Sequence, residues 1–205
     1  MNLIKKYFPR ITELQLKKLE SYKILIEEWN KKINLISRQD ISFFEEHHIL
    51  HSLAISKCFS LPTGSEILDV GTGGGLPGIP LAILNPDINF TLIDSIEKKI
   101  NVVKDIIQKL ELNNASSVKT RVEDFEHKFD IIVARAVTSF PAFHKMCHSK
   151  INSNPNNYNI HGIIYLKGGL FFDEIISFKK IEIYSISDFY KEDFFKEKKI
   201  IFLPK

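Results

Sequence analysis

The apolar run Ile67-Leu68-Asp69-Val70 passes directly into Gly71-Thr72-Gly73-Gly74-Gly75-Leu76-Pro77-Gly78, and the apolar stretch Leu81-Ala82-Ile83-Leu84 follows. A buried strand, a glycine-rich turn and a helix in that order restrict the fold to parallel α/β types. Glycines at such a turn let the backbone bend sharply and let a ligand approach without meeting a Cβ. Pro77 and Pro80 fall at the helix start, where a missing amide loses no partner.

Around this unit the chain divides into a helical first third and an alternating remainder. Leu14, Leu19, Tyr22, Ile26, Trp29 and Ile33 recur at helical spacing, and Thr12 with Gln15 forms a capping box. A second helix is expected after Asp40, with Phe43, Leu50, Ala54 and Cys58 on one face. Strands are expected at 67–70, 90–94, 118–122, 129–133 and 163–166, and a closing pair at 181–184 and 200–203. Ser95 is placed to cap the helix carrying Ile96, Ile100, Val103, Ile107 and Leu110. Another helix is expected at 140–150, followed by an asparagine-rich loop at 152–159. The pattern predicts an α/β, Rossmann-like class I architecture: a mostly parallel seven-stranded sheet, helices on both faces and an N-terminal helical extension. Residues 1–60 form the extension and 61–205 the ligand-binding domain.

With 205 residues, 44% of them hydrophobic, the chain can bury a core without covalent staples. Its two cysteines, Cys58 and Cys147, lie in apolar helical patterns, which suits a reducing cytoplasm. The N-terminus lacks a signal-peptide run, no segment matches a membrane span, and a monomer is expected. A net charge of +3 is compatible with a nucleic-acid partner without demanding one.

Gly73 to Gly78 fits the dinucleotide pattern G-x-G-x-x-G, so an NAD-dependent oxidoreductase is one reading. Three acids argue otherwise. Asp69 precedes the loop where methyltransferases keep a carboxylate near a methionine ammonium. Asp94 ends the second strand, where it can accept both ribose hydroxyls. Val122-Glu123 is placed at the end of the third strand, suited to an adenine. Together with Gly71, Gly73 and Gly75 these residues predict an S-adenosylmethionine site. A non-catalytic RNA-binding protein that kept the fold is disfavoured by the retained acids.

The acceptor leaves marks too. The Asn/Asp-Pro-Pro-aromatic motif of exocyclic-amine enzymes is replaced by Ala134-Arg135-Ala136, and no cysteine stands at a strand end for cytosine-C5 chemistry. An acceptor owning a lone pair, such as guanine N7, needs neither. Arg135 at the fourth strand end can grip a base edge or phosphate, the alternative being a surface salt bridge. Lys167 is either a second catalytic candidate or an ordinary strand-end lysine. His47 and His51 lack a third ligand of suitable spacing, so no metal is expected. His48 reads as a buried packing residue, and Lys31, Lys32 and Arg38 as phosphate contacts or a solvated helix end.

The stretch Asp69 to Ala82 resembles the signature of the small-subunit ribosomal RNA guanine-N7 methyltransferases, also called glucose-inhibited division protein B. Trp29 to Ser37, His48-Ile49-Leu50, Leu92 to Ser95, Arg121 to Phe125, Ala134-Arg135-Ala136 and Leu166-Lys167-Gly168 follow in family order. His51 stands where the family typically has an aspartate. The resemblance implies methylation of guanine N7 in the 530 loop of 16S rRNA, with the rRNA or the 30S subunit as partner. It also implies cofactor contacts from Gly71, Leu76, Val122, Glu123 and Arg135. A methyltransferase acting on another RNA or a small molecule is the alternative that only these motifs disfavour.

Overall fold

The computed structural model describes residues 1–153 and 159–205, so most of the asparagine-rich loop lies outside the described residues. The chain opens with helices α1 (Asn2–Tyr7) and α2 (Glu13–Asn30). The Thr12–Gln15 capping box forms as expected, with each side chain bonded to the other's backbone. After a 3-10 turn at Ile41–Phe43, a π-helical segment, Phe44–Leu50, runs into α3 (His51–Cys58). That wide turn corrects the expected helical face. A π-turn holds more residues than an α-turn, so Phe44 enters the core while Phe43 stays 52% exposed.

The sheet follows as β1 (Glu66–Val70), β2 (Asn89–Asp94), β3 (Ala115–Lys119), β4 (Ile131–Arg135), β5 (Gly162–Gly168), β6 (Glu182–Ser185) and β7 (Lys198–Pro204). The intervening helices are α4 (Gly78–Leu84), α5 (Glu97–Lys109), α6 (Phe140–Cys147) and the short α7 (Phe172–Ile175). The strand order is β3-β2-β1-β4-β5-β7-β6, with β7 running antiparallel to the other six strands. This is the seven-stranded, mostly parallel sheet that the pattern predicts.

Alternation along the strands divides the core into two layers. Ile67, Leu92, Ile131, Val133, Ile164 and Leu166 face α2, α3, α4 and α5. Leu68, Val70, Ile93, Ile132, Ala134, Ile163 and Tyr165 face α6 and α7. Parity therefore decides where Asp69 and Arg135 go. Both occupy positions that alternate with the second set, so both project toward the layer holding the N-terminal helices. Tyr22, fully buried on α2, donates from its hydroxyl to the Gly74 carbonyl at 2.9 Å. The helical extension thus rests directly on the glycine loop.

Further sequence expectations shift, the fourth strand among them, which runs two residues later, Ile131–Arg135. The third strand is Ala115–Lys119, earlier than expected, and Val122–Asp124 forms a 3-10 turn beyond it. At the sheet edge only one flank is paired, so polar residues suffice and no apolar run marks the strand. Ser95 does not cap α5. No side chain caps it: its N-cap is Ile96, whose N donates to Asp94 Oδ1 at 2.9 Å just before the helix, and Ile96 is 47% exposed rather than in the core.

Candidate active site

The C-terminal ends of β1, β2 and β4 border a cavity of about 380 Å³. Gly71, Asp94, Ile96, Val122, Glu123 and Arg135 are among its walls. Its position at the carboxyl ends of parallel strands, where the order reverses beside β1, is the usual ligand site of open α/β sheets.

The loop above it is held by two acids. Asp69 is fully buried, and its Oδ2 accepts from the Thr72 hydroxyl at 2.6 Å and from Gly78 N at 2.9 Å. A Cβ on Gly78 would lie 2.7 Å from that same oxygen, which is why only glycine fits there. Asp94 accepts from Gly73 N at 3.1 Å through Oδ2, so one carboxylate ties the loop to the start of α5. Gly71 sits at φ +69°, and a Cβ there would come within 2.8 Å of Val137.

The structure thus separates the expected cofactor residues. Gly71, Asp94, Val122, Glu123 and Arg135 reach the cavity, whereas Asp69, Gly73, Gly75 and Leu76 shape the loop behind it. Leu76 is buried in the core on the N-terminal side of the sheet. Glu123 reaches the wall from the 3-10 turn rather than from a strand end. Sequence reasoning missed Ile96, which the expected helix face assigned to the core.

Asp69 also makes the fold sensitive to pH. Burial raises its carboxyl from an ordinary 3.8 to about 7, against the opposing pull of the Thr72 and Gly78 hydrogen bonds. The folded protein therefore holds the extra proton between those two values. The resulting stability is fully present below the lower value and is lost as pH rises through the upper one. Asp69→Asn keeps an acceptor for Thr72 and Gly78 without the charge. The free energy of unfolding of Asp69→Asn relative to the parent is expected to rise between about pH 5 and about pH 8, the difference reaching a few kcal/mol in denaturant titrations. Parallel profiles would show that Asp69 titrates normally.

A second cavity, of about 520 Å³, shares Arg135 and Ala136 with the first. Asp40, His48, His51, Tyr165, Lys167 and Phe194 line it further. The alternative reading of Arg135, a surface salt bridge, is not what forms. Among the described residues its guanidinium bonds neutral partners, giving Nη1 to the His47 carbonyl at 3.2 Å and Nη2 to His48 Nδ1 at 3.0 Å. Ala136 turns the chain at φ +54°, a conformation rare for alanine that marks a constrained site. The Tyr165 hydroxyl secures the turn, accepting from Val137 N and Thr138 N and donating to the Thr138 carbonyl at 2.8 Å. Lys167 lines the cavity, but its ammonium is paired with Glu174 at 2.5 Å. His48 is buried, as expected for a packing residue, yet it also touches the site. Its signal was hidden because its partner Arg135 lies far along the chain.

The family described as rRNA small subunit methyltransferase G matches residues 15–201. A ribosomal RNA small subunit methyltransferase G of Christiangramia forsetii is 47% identical, covering 100% of this chain and 97% of the relative. Its counterpart in Flavobacterium psychrophilum is 46% identical, covering 100% and 98%. Among solved structures, a precorrin-6y C5,15-methyltransferase from Geobacter metallireducens superposes with a TM-score of 0.56 at 13% identity, covering 84% of this chain and 92% of its own. That likeness shows the fold alone. The near-complete match of the family and the full-length identity to its members settle the assignment: the chain belongs to the rRNA small subunit methyltransferase G family.

Proposed function

We propose that this enzyme methylates guanine N7 in the 530 loop of 16S rRNA, using S-adenosylmethionine held in the first cavity. The observation that carries the reading is the pair of cavities meeting at Arg135 and Ala136. A methyl transfer needs donor and acceptor to approach in line, and two adjoining pockets at one sheet edge supply that geometry.

The residues fit the cofactor. Two lone-pair sites of Asp94 are used by backbone amides, and a carboxylate has about four, which leaves two for the ribose hydroxyls. Ile96 and Val122 offer apolar faces for an adenine, and Glu123 a polar edge. The bare backbone at Gly71 gives the methionine end room to approach. S-adenosylmethionine supplies a methyl group on a sulfonium sulfur, open to displacement by a lone pair.

Guanine N7 presents such a lone pair in the second cavity, so no base has to remove a proton from it first. The N7–carbon bond forms as the sulfur–carbon bond breaks, and the guanine leaves as an N7-methylated cation. The protein's task is placement. Arg135 stands where its planar fork can hold either the cofactor's carboxylate or a guanine edge. Lys167, compensated by Glu174, lines the same cavity from the neighbouring strand. No described helix is long and apolar enough to cross a membrane. An rRNA acceptor places the enzyme in the cytoplasm, and we assign it as a monomer acting on the rRNA or the 30S particle.

Intact 30S particles and naked 16S rRNA, incubated with labelled cofactor and mapped by borohydride and aniline cleavage, test this reading. Strand scission at a single guanine of the 530 loop is expected. Label incorporated elsewhere, or no incorporation on either substrate, refutes it.

A further inference from the structure

We infer that Asp40 and His48 form a positioning pair that holds the Arg135 guanidinium at the wall between the two cavities. The inference rests on the site proposed above and adds how its arginine is held.

The hydrogen bonds themselves fix the state of His48. Arginine can only donate, so His48 Nδ1, 3.0 Å from Arg135 Nη2, must carry a lone pair. The ring proton then sits on Nε2, 2.7 Å from Asp40 Oδ2, an electrostatic contact too bent to be a hydrogen bond. Asp40 in turn is held by His47, whose Nδ1 lies 2.5 Å from Oδ1. The Phe44 ring stacks on His48 at 5.3 Å and blocks rotation from the core side. The charged or titratable groups facing His48 are therefore Asp40 and His47 beside it, His51 on the next helical turn, and Arg135 from β4. Burial and the Arg135 charge together bring the His48 pKa down to about 4, outweighing the opposite pull of Asp40. The imidazole is neutral at physiological pH.

A neutral acceptor suits this task in a way a carboxylate does not. A carboxylate in direct contact would fix the arginine but neutralise it and draw its donors away from the cavities. The His47 carbonyl and His48 Nδ1 use two of the five guanidinium N–H groups and cancel none of its charge. Three donors and a full positive charge stay available for an anionic or electron-rich ligand. Without this support a long arginine side chain gives up rotamer entropy each time it engages.

Two substitutions separate the two ends of His48. Asparagine can present its oxygen where Nδ1 stands, keeping the acceptor for Arg135. Glutamine can reach Asp40 in place of Nε2 but leaves Arg135 without its acceptor. His48→Gln is expected to lower kcat/KM about 10- to 30-fold, the equivalent of one hydrogen bond to a charged group, while His48→Asn stays within about threefold of the parent. Adding His48→Gln to Arg135→Lys is expected to cost nothing further, because the two act as one unit. Nitrogen-15 NMR of the cofactor-free protein supplies a readout independent of the methyl acceptor. It should show His48 as the neutral Nε2–H tautomer and a slowly rotating Arg135 guanidinium, and the rotation should become fast in His48→Gln. Asp40→Ala, at a partly exposed position, should mobilise Arg135 as well and serves if the His48 variants fold poorly. An Nδ1–H tautomer, equal losses for the two His48 variants, or losses additive with Arg135→Lys would reduce His48 to a packing residue. If the NMR signature is present but the 530 loop is unmodified, the pair stands and the acceptor assignment fails.

Discussion

Arg135→Ala is expected to lower kcat/KM for ribosomal RNA by about 100- to 1000-fold while leaving the fold intact. The size follows from what the side chain can offer. A hydrogen bond from a charged donor contributes about 1.5 kcal/mol at the low end, and a bidentate grip supplies two, which is two decades in rate or more. Location sets the expectation that this energy is realised on the ligand. Arg135 is the charged side chain that lines both cavities. Its neighbours within hydrogen-bond reach, the His47 carbonyl and His48 Nδ1, leave its charge uncompensated by direct contact. Burial draws its pKa below the ordinary value, yet it remains the cation of the site. Arg135→Lys keeps the charge and loses the fork, so it should recover little if geometry matters and most if charge alone does. Steady-state kinetics on 30S particles, paired with calorimetric binding of S-adenosylhomocysteine, partition the loss between the two cavities. A loss below about threefold in both measurements would remove Arg135 from the mechanism.

The parts of this molecule legible in the sequence are those decided within a few residues. The glycine loop, the Thr12–Gln15 box and the buried central strands each carry a local pattern, and each forms as expected. What escaped was decided by neighbours. β3 lies at the sheet edge, where Ala115 to Lys119 need no apolar run, so the more apolar segment after it drew the assignment. Ser95 looked like a cap because serine usually is one, but α5 starts one residue later, on Ile96, whose N is bonded to Asp94 Oδ1, and no side chain caps it. The π-turn at Phe44–Leu50 shifts the helical face by one residue, and an α-helical spacing rule cannot register that. The same turn brings His47 and His48 against Arg135, and Phe194 stacks on His47 at 3.8 Å from the far end of the chain. The first cavity was legible because the segments that close β1, β2, β3 and β4 in turn line it. The second draws its walls from four distant segments, and only the folded chain brings them together.

Asp94→Ala is expected to weaken S-adenosylmethionine binding at least about 100-fold, and the reason is that one carboxylate serves two structures. It ties the loop through Gly73 N to the segment entering α5 through Ile96 N, and it lines the cavity. Removing it deletes the ribose acceptors and frees the loop that shapes the opposite wall. Two hydrogen bonds to a charged acceptor, at about 1.5 kcal/mol or more each, already account for two decades. Loosening of the loop adds to that. Lys99, with Nζ 3.8 Å from Oδ2, does not replace the carboxylate, since an ammonium has no acceptor to offer the ribose. Asp94→Asn discriminates the two contributions. Its single carbonyl can serve either the loop or the ligand but not all four donors, so a loss between that of alanine and the parent is expected. Binding measured by calorimetry, with hydrogen exchange at Gly73 and Ile96 as the report on the loop, separates them. If Asp94→Ala binds the cofactor at full affinity, the ribose lies elsewhere and the first cavity needs a different ligand.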